Sequence, residues 1–216
     1  MNFLFRIYQS SVGKKFFVGL SGLFLCSFLA VHCYINLFLF VGEDIFNTYA
    51  EFMSSNPVIR TVEIVLFGGF LLHIIIATIL WYKNRLARPE KYLVTKPLES
   101  STFSSRITFL TGSIIFIFLV VHMDSFWFTS RFQHELYPSM YNLIKMKFSF
   151  WWYDTFYLIA LFLLGFHLRH GFQSAFQTFG VRGKRYEMLI ELIAVIFWLV
   201  IPLTFAAMPI YFLMNS

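Results

Sequence analysis

The sequence has few charged residues: Asp, Glu, Lys and Arg make up only 13% of its 216 residues, whereas soluble domains carry about 25%. Hydrophobic residues make up 58% and aromatic residues 21%. A nucleic-acid-binding role is therefore excluded, because no folded soluble domain or basic groove is present to carry it. The N-terminal segment MNFLFRIYQSSVGKK lacks a small-residue cleavage site after an apolar core, so we expect no signal peptide.

Cysteine is also scarce. The only two, Cys26 and Cys33, lie seven residues apart in one apolar run and cannot reach each other along a helix. No Cys-x-x-Cys-His segment is present, which excludes covalent c-type haem attachment. The sequence also lacks low-complexity tracts and repeats with periods of roughly 20–50 residues, which excludes solenoid folds.

Apolar sequence, in contrast, is abundant. Each of five runs is near or above the ~20 residues needed to cross a bilayer, namely residues 16–40, 61–82, 107–128, 155–176 and 188–213. These runs predict an all-α integral membrane protein with five transmembrane helices in a single membrane domain, residues 1–216.

Basic residues are distributed unevenly between the two sides of these runs. With the N-terminus inside, 13 of the 17 Lys and Arg residues fall in inner segments and 4 in outer segments. This positive-inside bias predicts a cytoplasmic N-terminus. The basic cytoplasmic face sets the topology and can also dock an acidic soluble partner.

Histidines are concentrated inside the spans. The first three spans carry one each and the fourth carries two, namely His32, His73, His122, His167 and His170. Ionisable residues at membrane depth are rare and need a partner. A single one can be a packing residue, but histidines in four consecutive spans favour a functional arrangement.

Depth divides four of these histidines into two pairs. At 1.5 Å per helical residue, counted from the basic residues at the span ends, His32 and His122 lie about 24–26 Å from the inner surface. His73 and His167 lie about 15 Å from the same surface. The spacing therefore predicts that His32 faces His122 and that His73 faces His167.

Facing histidines on neighbouring helices are typical of b-type haem sites in bundles. Zinc would need four ligands at one depth, and a packing role for the histidines does not predict matched depths. We therefore expect the first four helices to form a bundle around two b haems. The alternative is a proton-coupled transporter without haem, which could use the buried histidines as a proton relay.

Three segments resemble the cytochrome b membrane-anchor subunit of succinate dehydrogenase/fumarate reductase, in its single-subunit, five-helix, di-haem form. They are FNTYAEFM followed by a proline and VEI, SSTFSSRITFLTG leading into FLVVHMDSFWF, and GFHLRHGFQSAFQTFG. The resemblance covers nearly the whole chain. It implies that His32 and His122 ligate the iron of an outer haem, and that His73 and His167 ligate the iron of an inner haem.

The same resemblance separates the residues of the third segment. It assigns the fourth-span ligand to His167, which leaves His170 beside the haem, bonded to a propionate or to the backbone. Arg169 is a second candidate for a propionate contact, or it extends to the membrane interface. Gly165 stands where some relatives carry a glutamate, so a proton route through that position is not expected.

The function implied is that of the non-flavin membrane subunit of succinate:quinone oxidoreductase, in a bacterial cytoplasmic membrane. Flavoprotein and iron–sulfur subunits would dock on the cytoplasmic face. Electrons would then pass through both haems to a quinone, expected to be menaquinone, near the outer haem. Glu63 and Asp124 are candidates for proton exchange with the quinone, although either could cap a helix or pair with Arg60. A stand-alone di-haem transmembrane electron-transfer protein is the competing class.

Overall fold

The computed structural model describes residues 10–87, 103–181, 183 and 185–215. This part of the chain is helical and contains no strand. Five helical segments in it are long and apolar enough to cross a membrane, here called the first to fifth spans: Val12–Phe40, Pro57–Leu86, Ile107–Phe132, Trp151–Thr178 and Glu187–Met214. They confirm the five predicted spans, extended by about one helical turn at most. The protein is therefore a multi-pass membrane protein surrounded by lipid.

The first two spans begin at capping residues that the sequence supplies. The α-helix Ser11–Asn36 starts after Ser10, whose hydroxyl accepts a hydrogen bond from the Gly13 amide at 2.9 Å, and a 3-10 turn, Leu37–Phe40, extends it. The helix Pro57–Leu86 starts after Asn56, whose side chain accepts from the Val58 amide at 2.9 Å. Such side chains satisfy amide groups that the first helical turn leaves without a partner.

Two spans contain a π-helical turn. The third consists of Phe103–His122, the π turn Met123–Phe128 and Thr129–Phe132. The fifth consists of Glu187–Val195, the π turn Ile196–Val200 and Ile201–Met214. The first π turn follows His122 directly, and π turns are often found at functional sites.

The fourth span, a continuous helix Trp151–Thr178, packs against the first, third and fifth spans. Its contact with the fifth span is close, because a Cβ added to Gly165 would lie 2.8 Å from the Trp198 carbonyl oxygen. The second span packs mainly on the first, where a Cβ added to Gly69 would lie 2.6 Å from the Phe24 ring. A cleft separates the second span from the third and fourth spans.

Two short helices lie at the end of the bundle where the first span finishes, which we call the C-terminal end. They are Glu43–Ser55 and Met140–Lys147. The Glu43 carboxylate accepts hydrogen bonds from Ser139 Oγ at 2.8 Å and from Asn142 Nδ2 at 2.7 Å. This network ties the two helices together over one end of the cleft. The opposite end, where the first span begins, is called the N-terminal end.

Candidate functional site

The candidate site is the cleft between the first four spans. Its volume is about 2030 Å³, and His32, His73, His122 and His167 all line it. Typical small-molecule pockets measure about 300–1,000 Å³, so this cleft has room for two large ligands. Aromatic contacts bridge it between the second and third spans. Trp81 stacks on Phe109 at 3.8 Å between ring centroids, and Phe67 lies 5.3 Å from Trp127.

The structure brings the histidines together in the two pairs that depth predicts. The ring centroids of His32 and His122 are 5.9 Å apart, and those of His73 and His167 are 6.4 Å apart. A metal bonded to one nitrogen of each ring at about 2 Å would separate the centroids by about 6 Å. The spacing within both pairs therefore fits two axial imidazoles on one iron. Their role as haem ligands stays a prediction.

In the His73–His167 pair, each ring is hydrogen-bonded by a hydroxyl of another span. His73 Nδ1 lies 3.1 Å from Ser21 Oγ, and His167 Nδ1 lies 3.4 Å from Thr111 Oγ1. Both hydroxyls belong to buried residues that do not line the cleft. The Nε2 atom on the other side of each ring is therefore directed to the cleft.

In the His32–His122 pair, the contacts come from different groups. His122 Nδ1 lies 2.8 Å from the Tyr157 hydroxyl, which also accepts a hydrogen bond from the Tyr153 hydroxyl at 3.3 Å. His32 Nδ1 lies 3.4 Å from Asn36 Nδ2, an amide that also donates to the His32 carbonyl at 2.8 Å. At His73, His167 and His122, Nδ1 thus faces a hydroxyl oxygen, which can accept the N–H that a metal-bound histidine usually donates. At His32, Nδ1 faces an amide nitrogen, which can only donate.

The polar lining of the cleft also fits a group that carries carboxylates, as the propionates of haem do. At the C-terminal end the lining includes Arg60, Arg131 and His134. Trp127 lines the same region, and its buried Nε1–H has no hydrogen-bond partner within the described part of the chain. An unpaired indole donor beside cationic side chains is suited to a carboxylate ligand. The residues present therefore fit b-type haem.

His170 and Arg169 are placed on different sides of the fourth span. His170 lines the cleft together with His167, but only His167 is in ring contact with His73. Arg169 is not among the described residues that line the cleft, and its guanidinium carbon lies 5.2 Å from the ring centroid of Trp198 in the fifth span. The geometry thus places Arg169 in a cation–π contact, away from any propionate in the cleft.

The two predicted acids are also separated. Glu63 lines the cleft and forms an ion pair with Arg60, with 2.6 Å between Arg60 Nη1 and Glu63 Oε2. Asp124 is exposed within the π turn and is not among the described cleft-lining residues. Of the two candidates, only Glu63 is therefore placed where a ligand of the cleft can reach it.

Sequence reasoning missed Asp154, in the first turn of the fourth span. Its side chain is 3% exposed, and neither carboxylate oxygen has a hydrogen-bond partner within the described residues. It lies one helical turn before Tyr157, the residue that contacts His122. The signal in the sequence is a single carboxylate inside the aromatic run WWYDTFY.

The predicted docking face is formed by the N-terminal segment, residues 83–106 and the loop VRGKRYE, with Lys14, Lys91 and Lys184 as candidate contacts. It lies partly outside the described residues, and so do Lys91 and Lys184. Residues 1–9, 88–102, 182 and 184 belong to it or adjoin it, and they include many of its basic residues. Among the described ones, Lys15 and Lys83 are exposed near the N-terminal end, whereas Lys14 is buried at 5% exposure.

Comparisons with known proteins do not identify the chain. No family model, no curated protein and no solved structure matches it.

Proposed function

We propose that this protein is a di-haem cytochrome b, the membrane anchor of a succinate:quinone oxidoreductase. The observation that carries the proposal is the pair of opposed histidine couples inside one cleft, with ring centroids 5.9 and 6.4 Å apart. Two such couples at different depths provide axial ligands for two irons. A packing role would also allow these spacings, but it does not account for two histidine pairs at different depths of one cleft.

Each haem, when bound, supplies a one-electron carrier within the hydrocarbon region. The chain supplies His73 and His167 for the haem nearer the N-terminal end, and His32 and His122 for the other. Since His73 lies beside Ser21, and His32 follows Ser21 by eleven residues, the two couples are about 16 Å apart along the first span. This arrangement is suited to moving electrons along the membrane normal.

The succinate:quinone assignment rests on the sequence resemblance and on the charge distribution. A flavoprotein subunit and an iron–sulfur subunit would dock at the N-terminal end, on the cytoplasmic side. The quinone, expected to be menaquinone, would react near the C-terminal end, where Glu63 lines the cleft beside Arg60. There Glu63 would hold a proton and exchange it with the quinone.

Affinity purification from native membranes tests this assignment. The tagged chain should co-purify with two soluble subunits that carry covalent flavin and iron–sulfur clusters, and the complex should reduce a dye and a menaquinone analogue with succinate. Crosslinks from the iron–sulfur subunit should fall on Lys15 or Lys83. Crosslinks on the exposed Lys145 at the other end would reverse the topology.

Two other outcomes would replace the proposal. Purification of the chain alone with two haems would assign it to stand-alone di-haem electron-transfer proteins. Purification without haem would contradict the electron-transfer function and favour a proton-coupled transporter that uses buried histidines.

A further inference from the structure

The first and third spans contain the same twelve-residue pattern, 90 residues apart. Residues 21–32 read SGLFLCSFLAVH and residues 111–122 read TGSIIFIFLVVH. Both begin with a hydroxyl residue and glycine, end with histidine, and share Phe and Leu at the eighth and ninth positions. This internal correspondence pairs Ser21 with Thr111, Gly22 with Gly112, and His32 with His122.

The structure shows that the corresponding residues make corresponding contacts. Phe28 stacks on His32 with ring centroids 5.3 Å apart, and Phe118 lies 5.6 Å from His122. At the start of the pattern, Ser21 contacts His73 of the second span and Thr111 contacts His167 of the fourth span. One stretch of helix therefore carries a histidine of one pair and supports a histidine of the other.

The hydroxyl protons determine the direction of the hydrogen bonds to His73 and His167. Ser21 Oγ donates to the carbonyls of Phe17 and Val18, at 2.8 and 3.1 Å. Thr111 Oγ1 donates to the Thr108 carbonyl at 3.0 Å. Because each hydroxyl has only one proton, both oxygens are left to accept from the histidine. This arrangement favours the tautomer in which Nδ1 carries the proton and Nε2 keeps its lone pair.

The glycines allow the rings to approach this closely. A Cβ added at Gly22 would lie 3.3 Å from His73 Cε1, and one added at Gly112 would lie 3.2 Å from His167 Cε1. Both distances are shorter than ordinary van der Waals contact, so an alanine would displace the ring. The carbonyls of Val18 and Thr108 also lie within hydrogen-bond reach of His73 and His167. The two rings thus have equivalent surroundings on two different spans.

We propose that Ser21 and Thr111 are positioning residues for the haem that His73 and His167 bind. They fix each imidazole as the Nδ1–H tautomer with Nε2 facing the cleft, and Gly22 and Gly112 provide the space for the ring. This inference rests on the proposed function. A hydrogen bond donated from Nδ1 increases the electron density on Nε2 and strengthens it as an iron ligand.

The double variant Ser21→Ala/Thr111→Ala tests the proposal. Loss of such supporting contacts typically weakens metal binding about 10–100-fold. The carbonyls of Val18 and Thr108 can still accept from the two imidazoles in this variant, so we expect the loss of affinity to be about tenfold. The midpoint potential of this haem should rise, because weaker donation from the imidazoles destabilises the ferric state. The other haem should keep its potential. Redox titration followed in the visible spectrum separates the two haems.

Matched controls lie on the same two spans. Ser27 is exposed, is not among the described cleft-lining residues and donates to the Phe24 carbonyl, so Ser27→Ala should change neither haem. The single variant Thr111→Ser retains Ser21 and keeps a hydroxyl at position 111. Its haem should therefore have the wild-type midpoint potential.

Glycine variants test the proposal if the double alanine variant does not assemble. Gly22→Ala and Gly112→Ala should each weaken the binding of the same haem. Gly68→Ala places its Cβ where no atom lies within 4 Å and should leave both haems unchanged.

Solid-state NMR of ¹⁵N-histidine-labelled protein in lipid gives a readout that does not depend on haem. His73 and His167 should be protonated at Nδ1 and not at Nε2. If wild-type protein binds two haems and the double variant keeps both potentials, the positioning role is overturned while the proposed function stands. If wild-type protein binds no haem, the proposed function fails. The tautomers then still decide the positioning claim, because Nε2–H signals at these two residues would contradict it.

Discussion

The His73–His167 pair and the His32–His122 pair have similar ring spacings but are held by different groups. In the first pair both Nδ1 atoms meet hydroxyls whose protons are already donated to backbone carbonyls. In the second pair His122 Nδ1 meets the Tyr157 hydroxyl, which can donate or accept, and His32 Nδ1 meets the Asn36 amide nitrogen, which can only donate. The surroundings therefore favour Nδ1–H at both histidines of the first pair, whereas in the second pair they oppose it at His32 and leave it open at His122.

If both pairs bind haem as proposed, the difference shows how two similar sites in one bundle can acquire different properties. The ligand type and the ring spacing are nearly constant, so neither distinguishes the sites. The groups behind the rings differ, and such groups tune the basicity of the ligand and the properties of the iron. We therefore expect the two haems to have different midpoint potentials.

The largest expected effect comes from removing a ligand. His73→Ala or His167→Ala should abolish one haem, and His32→Ala or His122→Ala should abolish the other, because an iron with one remaining axial histidine is weakly held. Pyridine haemochrome assay of each purified variant gives the count, with His170→Ala as the matched control that keeps both haems. Loss of a haem in His170→Ala but not in His167→Ala would show that the pairing is assigned to the wrong histidine.

Tyr157→Phe should produce the next largest effect, confined to the haem of His32 and His122. The variant keeps the ring but removes the hydroxyl 2.8 Å from His122 Nδ1. We expect about 10–100-fold weaker haem binding, or an equivalent shift of midpoint potential. The measurement is a redox titration of both haems.

The matched control for Tyr157→Phe is Tyr153→Phe. Tyr153 is equally buried but donates to Tyr157 and not to the histidine. A shift of the His73–His167 haem in Tyr157→Phe would contradict the separation of the two sites.

A smaller effect distinguishes the two predicted acids. Glu63→Gln should lower succinate:menaquinone activity several-fold and keep both haems, because Glu63 lines the cleft and can exchange protons there. Asp124→Asn, the matched variant on an exposed acid, should have the weaker effect. Dye-linked succinate oxidation measures the soluble subunits separately and should be unchanged in both. Equal quinone activity in Glu63→Gln and wild type would contradict the role of Glu63 in proton exchange. Glu43, Asp44 and Glu51 would then be the next candidates.

The smallest expected effect concerns stability beside the His32–His122 pair. Asp154→Leu should raise the free energy of unfolding by about 1–3 kcal/mol, since the variant removes a buried carboxylate with no hydrogen-bond partner in the described structure. Thermal melting in detergent measures it. Asp44→Leu, at an exposed position, should stay within about 0.5 kcal/mol. A destabilised Asp154→Leu would mean that the carboxylate has a required partner.

The spans and the histidine pairing could be predicted from sequence because both depend on position along a helix axis. Counting residues from the basic ends was sufficient to match His32 with His122 and His73 with His167. The axial distance between the pairs was less accurate. Depth counting gave about 10 Å, whereas the contact of His73 with Ser21 gives about 16 Å.

Positions around the helix axis were predicted less well. Arg169 follows His167 by two residues and Asp124 follows His122 by two, which rotates each by about 200° away from the histidine. Neither residue lines the cleft in the structure. His170, three residues after His167, shares the cleft-facing side, as a 3.6-residue period requires. The supporting roles of Ser21, Thr111 and Tyr157 depend on tertiary contacts, which position along one helix does not reveal. The correspondence across 90 residues is also longer than the roughly 20–50-residue periods of repeat folds.

Haem content of the purified wild-type protein tests the central claim most directly. The two opposed histidine pairs predict two b haems per chain, both six-coordinate and low-spin. Pyridine haemochrome assay combined with protein quantification measures the stoichiometry, and the visible spectrum reports the spin state. Two low-spin haems per chain is the predicted result. One haem per chain, or none, would contradict the claim that both pairs bind iron.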